Sequence, residues 1–165
     1  MTFKRIALLV TLGLVVGSVS AAGNIKGKKF GDWGGECETT PEQEQVCYLL
    51  QTLSDKRNNE LIMVTAVGYG KGKKFPTAIF DLPKTVDIQR GVQLKVDRYP
   101  AVSFKGACDA KGCRAGFTLD NPLTQQFQKG KQAIVAYRVR GQKDPVFRPV
   151  SLKGMARGLQ AIRPR

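Results

Sequence analysis

The chain has 165 residues, with 27 Lys and Arg against 13 Asp and Glu, a formal charge of +14, four cysteines and no histidine. That length suits one compact domain with a core of its own. The lack of histidine removes the commonest general base, the commonest zinc ligand and every Ser-His or Cys-His nucleophile pair.

Residues 1–22 read as an export signal. Lys4 and Arg5 form its positive start, residues 6–16 a short apolar run, and Val19-Ser20-Ala21-Ala22 a cleavage site of small residues. The apolar run is shorter than the roughly 20 residues a spanning helix needs, so no transmembrane segment is expected after cleavage. Residues 23–165 are then expected to be one domain in the periplasm, on the outer surface or secreted. Losing two bases and no acid leaves 25 basic against 13 acidic residues, or +12. Residues 34–60 hold six acids against Lys56 and Arg57, whereas residues 129–165 hold ten bases against Asp144 alone. Outside the cytoplasm an even set of cysteines is expected to oxidise. Cys37 with Cys47 and Cys108 with Cys113 close short loops and are the expected bridges, although four cysteines permit three connectivities.

Past Val46 the chain alternates short β-branched and aromatic runs with Gly, Pro, Asn and Asp clusters, a β pattern. Strands are expected at 46–53 and 61–69, joined by the polar turn 54–59. A basic glycine loop, Gly70-Lys71-Gly72-Lys73-Lys74, leads to a strand at 77–82 that Pro83 ends. Val92, Leu94 and Val96 alternate with Gln93, Lys95 and Asp97 as a half-buried strand does. Residues 101–105 are expected to pair with 112–119 across the Cys108–Cys113 turn. Asp120-Asn121-Pro122 and Gly130 bracket a short helix. Strands at 133–139 and 146–152 flank a Gly141-to-Pro145 turn, and Leu152, Met155, Ala156, Leu159 and Ile162 recur at helical spacing behind Ser151 as cap. The expected fold is all-β: an antiparallel sandwich or distorted barrel of about seven to nine strands, with one or two short helices and two disulfides.

Catalytic motifs are few. Ser54, Ser103 and Ser151 lie in no Ser-x-x-Lys or Gly-x-Ser-x-Gly context. Glu42 and Glu44 sit in a polar loop where a solvated role is simplest. Gly68-Tyr69-Gly70-Lys71-Gly72-Lys73 lacks P-loop spacing and precedes a strand, so it reads as a hairpin loop. Trp33 is expected to close one end of the core rather than to hold a ligand. Tyr69, Tyr99 and Tyr137 form no stacking ladder. The basic surplus would suggest nucleic acid in a cytoplasmic protein, but export redirects it to lipid phosphates, lipopolysaccharide or host glycans. Lys71, Lys73, Lys74, Arg138, Arg140, Lys143 and Arg148 are the candidate anion-binding residues, weighed against a charge that serves solubility alone.

Phe30-Gly31-Asp32-Trp33 with Cys37 and Cys47, Gly91-Val92 with Val96-Asp97, Cys108 with Gly112-Cys113-Arg114-Ala115, and Val150-Ser151-Leu152-Lys153-Gly154 resemble the invasion-associated locus B family in order and spacing. The resemblance runs over residues 30–162. It implies an exported proteobacterial protein, a β-rich fold with two disulfides and, in pathogenic members, an association with entry into host cells. It brings no catalytic or ligand residues with it. Leu82-Pro83-Lys84-Thr85 and Gly154-Met155 depart from the family pattern, at a turn and a packing contact. The expected function is a non-enzymatic binding or envelope protein without cofactor. Its expected partner is an anionic envelope or host-surface component, or an envelope protein, and not nucleic acid. An envelope enzyme acting through carboxylates or lysines is the alternative.

Overall fold

The computed structural model describes residues 24–164, so the expected export signal lies outside the described residues. In chain order the strands are β1 (Lys29–Phe30), β2 (Trp33–Thr39), β3 (Gln45–Ser54), β4 (Leu61–Gly68), β5 (Thr77–Leu82), β6 (Val92–Val96), β7 (Val102–Phe104), β8 (Gly106–Cys108), β9 (Cys113–Thr118), β10 (Gln132–Arg138) and β11 (Pro145–Ser151). Helix α1 (Asn121–Lys129) precedes β10, and α2 (Met155–Ile162) follows β11. The strands form two antiparallel sheets, one of seven in the order β1-β2-β3-β4-β5-β9-β8 and one of four in the order β11-β10-β6-β7.

Period-two patterning decides which face of each sheet turns inward. Leu49, Met63, Val67, Ala78, Phe80 and Leu82 of the larger sheet meet Val92, Leu94, Val96, Ala133, Val135, Tyr137 and Val150 of the smaller, all buried. Phe104 of β7 and Phe117 of β9, with ring centroids 4.7 Å apart, join the two layers. No barrel closes; the fold is the sandwich of the two expected forms.

Three expectations are corrected: eleven strands form among the described residues where about seven to nine were expected, and two local readings change. Residues 101–105 do not pair with 112–119. Val102–Phe104 pairs with β6 in the smaller sheet, and the chain crosses to the larger sheet before Gly106–Cys108 pairs with β9. The alternating apolar side chains of both segments satisfied either pairing, and the crossing at Lys105 has no sequence signal. Ser151 does not cap α2. It ends β11, and the cap position belongs to Gly154, held at φ +92°. Strands β1 and β2 lie before the region where strands were expected. Glycine and glutamate hide β2, because Gly35 takes an inward position that a side chain could not share with Ile25.

Helix α1 follows its sequence signals: the Asp120 carboxylate accepts from the Leu123 N–H at 3.1 Å, and Pro122 sits in the first turn. Its buried anchor is Phe127. Helix α2 buries Met155, Leu159 and Ile162, and its Gly158 lies flush on Leu49 of β3.

The two ends of the domain are clasped. The Trp33 indole N–H donates to the Ser151 carbonyl at 2.8 Å, the Ser151 hydroxyl to the Asp32 carboxylate at 2.6 Å, and the Asp32 backbone N–H to the Lys153 carbonyl at 3.1 Å. Gln51 bridges from β3, accepting from the Ser151 N–H at 2.9 Å and donating to its carbonyl at 3.1 Å. Gly31 and Gly154 stand back to back, each where a β-carbon would overlap the other segment's backbone. Trp33 is fully buried, which agrees with its expected role at the end of the core.

Candidate functional site

Both cysteine pairs are cross-strand disulfides. Cys37 faces Cys47 in the β2–β3 register, Cys108 faces Cys113 in the β8–β9 register, and the pairs are bonded as expected. Their role is to lock two hairpins, since bonded thiols offer neither nucleophile nor metal ligand.

The candidate anion-binding residues fall into two groups at opposite ends of β5. Lys71, Lys73 and Lys74 occupy the loop before Thr77. The Lys71 ammonium pairs with Glu44 at 2.5 Å, and Lys74 lies 5.4 Å from the Phe75 ring centre. Arg138, Arg140 and Lys143 lie past the far end of β5, roughly 17 Å of six-residue strand away. There the segment after Pro83 runs back along the end of β10: the Arg140 N–H donates to the Thr85 carbonyl at 2.9 Å and the Asp87 N–H to the Arg138 carbonyl at 2.8 Å. The Arg138 guanidinium donates to the Lys143 carbonyl and that of Arg140 to the Lys84 carbonyl. Lys84, Arg138, Arg140 and Lys143 are thus brought to one end of the domain, with Asp87 and Asp144 on the same segments, and among the described residues none of the four bases is within ion-pair distance of a carboxylate.

Arg148 does not join them. Its register partner is the buried Val135, so it points toward the sheet interface, where its guanidinium donates to the Tyr137 hydroxyl at 3.3 Å. Asp55 in the β3–β4 turn is held below the usual carboxylate range, first by hydrogen bonds from the Arg57 side chain and backbone, then by the positive charge of Arg148.

Two grooves open on the surface. The first, about 660 Å³, runs between the start of β4, the end of β5 and the β8–β9 hairpin. Its three carboxylates are hydrogen-bonded: Asp81 takes two bonds from Arg114, at 2.6 and 3.1 Å, Glu60 accepts from the Asn58 side-chain amide at 3.2 Å, and Asp109 accepts the Lys111 and Gly112 backbone N–H groups. Those N–H bonds hold Asp109 below its ordinary range. A general acid needs the opposite shift, toward neutrality. The second groove, about 540 Å³, lies between α1, α2 and the loop that carries Lys74.

The family model described as "Invasion associated locus B (IalB) protein" matches residues 33–163. The chain belongs to the invasion-associated locus B family. A search of curated proteins finds no match. The crystal structure of invasion-associated protein B from Bartonella henselae is similar, with a TM-score of 0.73 at 18% identity over 82% of this chain and 92% of that one. At that identity the likeness shows the fold alone.

Within the family frame, the segments that carried the resemblance are architecture. Phe30-Gly31-Asp32-Trp33 and Val150-Ser151-Leu152-Lys153-Gly154 are the two halves of the clasp, and the cysteines lock hairpins. The second groove was missed from sequence. Its signal was the row Asn121, Thr124, Gln125 and Gln128, uncharged polar residues at helical spacing on a chain otherwise rich in charge.

Proposed function

We propose that this member of the invasion-associated locus B family is an exported, non-enzymatic envelope protein whose basic end engages an anionic component of the envelope or of a host-cell surface. In a pathogenic species this contact serves entry into host cells. The observation that carries the reading is the cluster of Lys84, Arg138, Arg140 and Lys143. Two of its guanidiniums are positioned by backbone carbonyls rather than neutralised by carboxylates. A fixed cationic patch attracts phosphate, sulfate and carboxylate groups through a field that salt screens over about 8 Å at physiological strength.

The test compares the mature chain with an Arg138→Gln/Arg140→Gln/Lys143→Ser variant for binding to lipopolysaccharide and anionic vesicles at rising salt. Binding that weakens with salt and falls in the variant supports the reading. Arg148→Gln serves as the control, because its guanidinium is half-buried against the Tyr137 hydroxyl, with Asp55 near it, and its loss should leave binding unchanged. No binding by the wild type at low salt, or equal binding by the triple variant, refutes it.

A further inference from the structure

The groove between α1, α2 and the 69–76 loop combines three chemistries. Helix α1 lines it with Asn121, Thr124, Gln125 and Gln128, α2 with Ala156, Leu159 and Gln160, and Arg163 stands just past the end of α2 in extended backbone. The α1 residues follow i, i+3, i+4, i+7 spacing and those of α2 i, i+3, i+4, so each helix turns one face to the same space. The third wall carries the half-buried rings of Tyr69 and Phe75 beside Lys74.

Exposed helix faces usually carry mixed charges. Here the lining holds two cations, Lys74 and Arg163, and no carboxylate. The amides of Asn121, Gln125, Gln128 and Gln160 form no hydrogen bond with any other group among the described residues, whereas Gln51, facing the clasp, makes three. Each amide offers a donor and an acceptor on one head, the pattern that adjacent sugar hydroxyls match. Aromatic rings supply an apolar face, and the cations supply charge-assisted bonds to an acidic substituent. The volume falls within the roughly 300–1,000 Å³ of ligand pockets.

We infer that this groove binds an acidic oligosaccharide, with sugar hydroxyls on the amides of α1 and α2, a ring face on Tyr69 or Phe75, and a carboxylate, sulfate or phosphate between Lys74 and Arg163. The site is separate from the basic end and does not rest on it. Arg163 lies close enough to Tyr69 for its charge to oppose the upward shift that burial gives the phenol, consistent with a cation at the aromatic wall.

The experiment is calorimetric titration of the mature chain with a heparin-derived tetrasaccharide, delipidated lipopolysaccharide core oligosaccharide, neutral chitotetraose and oligothymidylate. The first two arms separate a host glycan from an envelope source. Saturable binding of at least one acidic sugar is expected, at least tenfold tighter than the neutral one. Gln125→Ala/Gln160→Ala, which leaves both helices with good helix formers, should weaken it at least tenfold. Lys74→Ser/Arg163→Ser should erase the preference for acidic over neutral sugar. The triple variant of the basic end should bind oligosaccharide as wild type does, so that either reading can fail alone. The inference is overturned if no oligosaccharide binds saturably, if oligothymidylate binds more tightly, or if the amide variant, with an unchanged melting temperature, keeps full affinity.

Discussion

Two glycines four residues apart in and before α2 should respond very differently to the same substitution. Gly154→Ala places a β-carbon on a residue held at φ +92°, at an intrinsic cost of about 1–2 kcal/mol. That β-carbon would overlap the Phe30 carbonyl, a rigid backbone group, so the Phe30-Gly31 turn must retreat. Retreat breaks the Asp32 N–H bond to the Lys153 carbonyl and strains the Ser151 hydroxyl bond to Asp32, at roughly 1 kcal/mol each. The expected loss is about 3–4 kcal/mol. Gly158→Ala instead meets the tip of Leu49, 2.6 Å from its Cδ1, a flexible group that can turn aside. Overpacking of about 1–3 kcal/mol is there offset by about 1 kcal/mol of gained helix propensity. Urea unfolding of the oxidised 23–165 chain, followed by fluorescence of its single tryptophan, measures both, since Trp33 is fully buried inside the clasp. A Gly154→Ala variant within 1 kcal/mol of wild type would refute the clasp as a stabilising contact.

The bridge Cys37–Cys47 spans a sequence separation of 10 and Cys108–Cys113 one of 5, so loop-closure entropy assigns them about 2.7 and about 2 kcal/mol; paired Cys→Ser variants should lose stability in that order in urea titrations. The Tyr48 hydroxyl donates to Glu38, which pushes its pKa up to about 12. Because the folded value lies above the unfolded one near 10, this contact's contribution is complete below pH 10 and is lost as pH rises through about 12. Absorbance titration should therefore show a late-ionising tyrosine that Tyr48→Phe removes. Just past β11, the Leu152 N–H donates to the Lys131 carbonyl while the Ser151 N–H turns away to Gln51, so the odd-numbered backbone groups of β11 face away from β10. Pro145 and Pro149 leave that edge with few donors; Pro145→Val/Pro149→Val should increase self-association in sedimentation velocity, and an unchanged monomer fraction would count against edge protection.

Where burial and turn chemistry act locally, the fold was legible. Thr77–Leu82 and Asn121–Lys129 match their expected bounds because Pro83 and the Asp120-to-Pro122 cap act on neighbouring residues. Strand β2 was hidden because its inward positions alternate Trp33, Gly35 and Cys37, and the glycine is there to admit Ile25, a fact of tertiary packing. The same limit applied to the charges. Lys71, Lys73 and Lys74 and the Arg138-to-Arg148 series look alike as sequence, but β5 separates the two groups and the register of β11 turns Arg148 inward. Ser151 fitted an N-cap by position, yet its hydroxyl is used by Asp32, 119 residues away.

The clasp also governs when the molecule can become folded. Trp33 opens β2 and Asp32 lies in the turn before it, and their partners at Ser151 and Lys153 are separated from them by most of the chain. A chain made with its N-terminus first therefore holds an uncovered tryptophan and an incomplete smaller sheet until β10, β11 and the segment after them arrive. Contacts of such long separation form slowly, because the loop between them must close before they contribute. The early strands therefore stay unclasped until Ser151 and Lys153 reach Trp33 and Asp32.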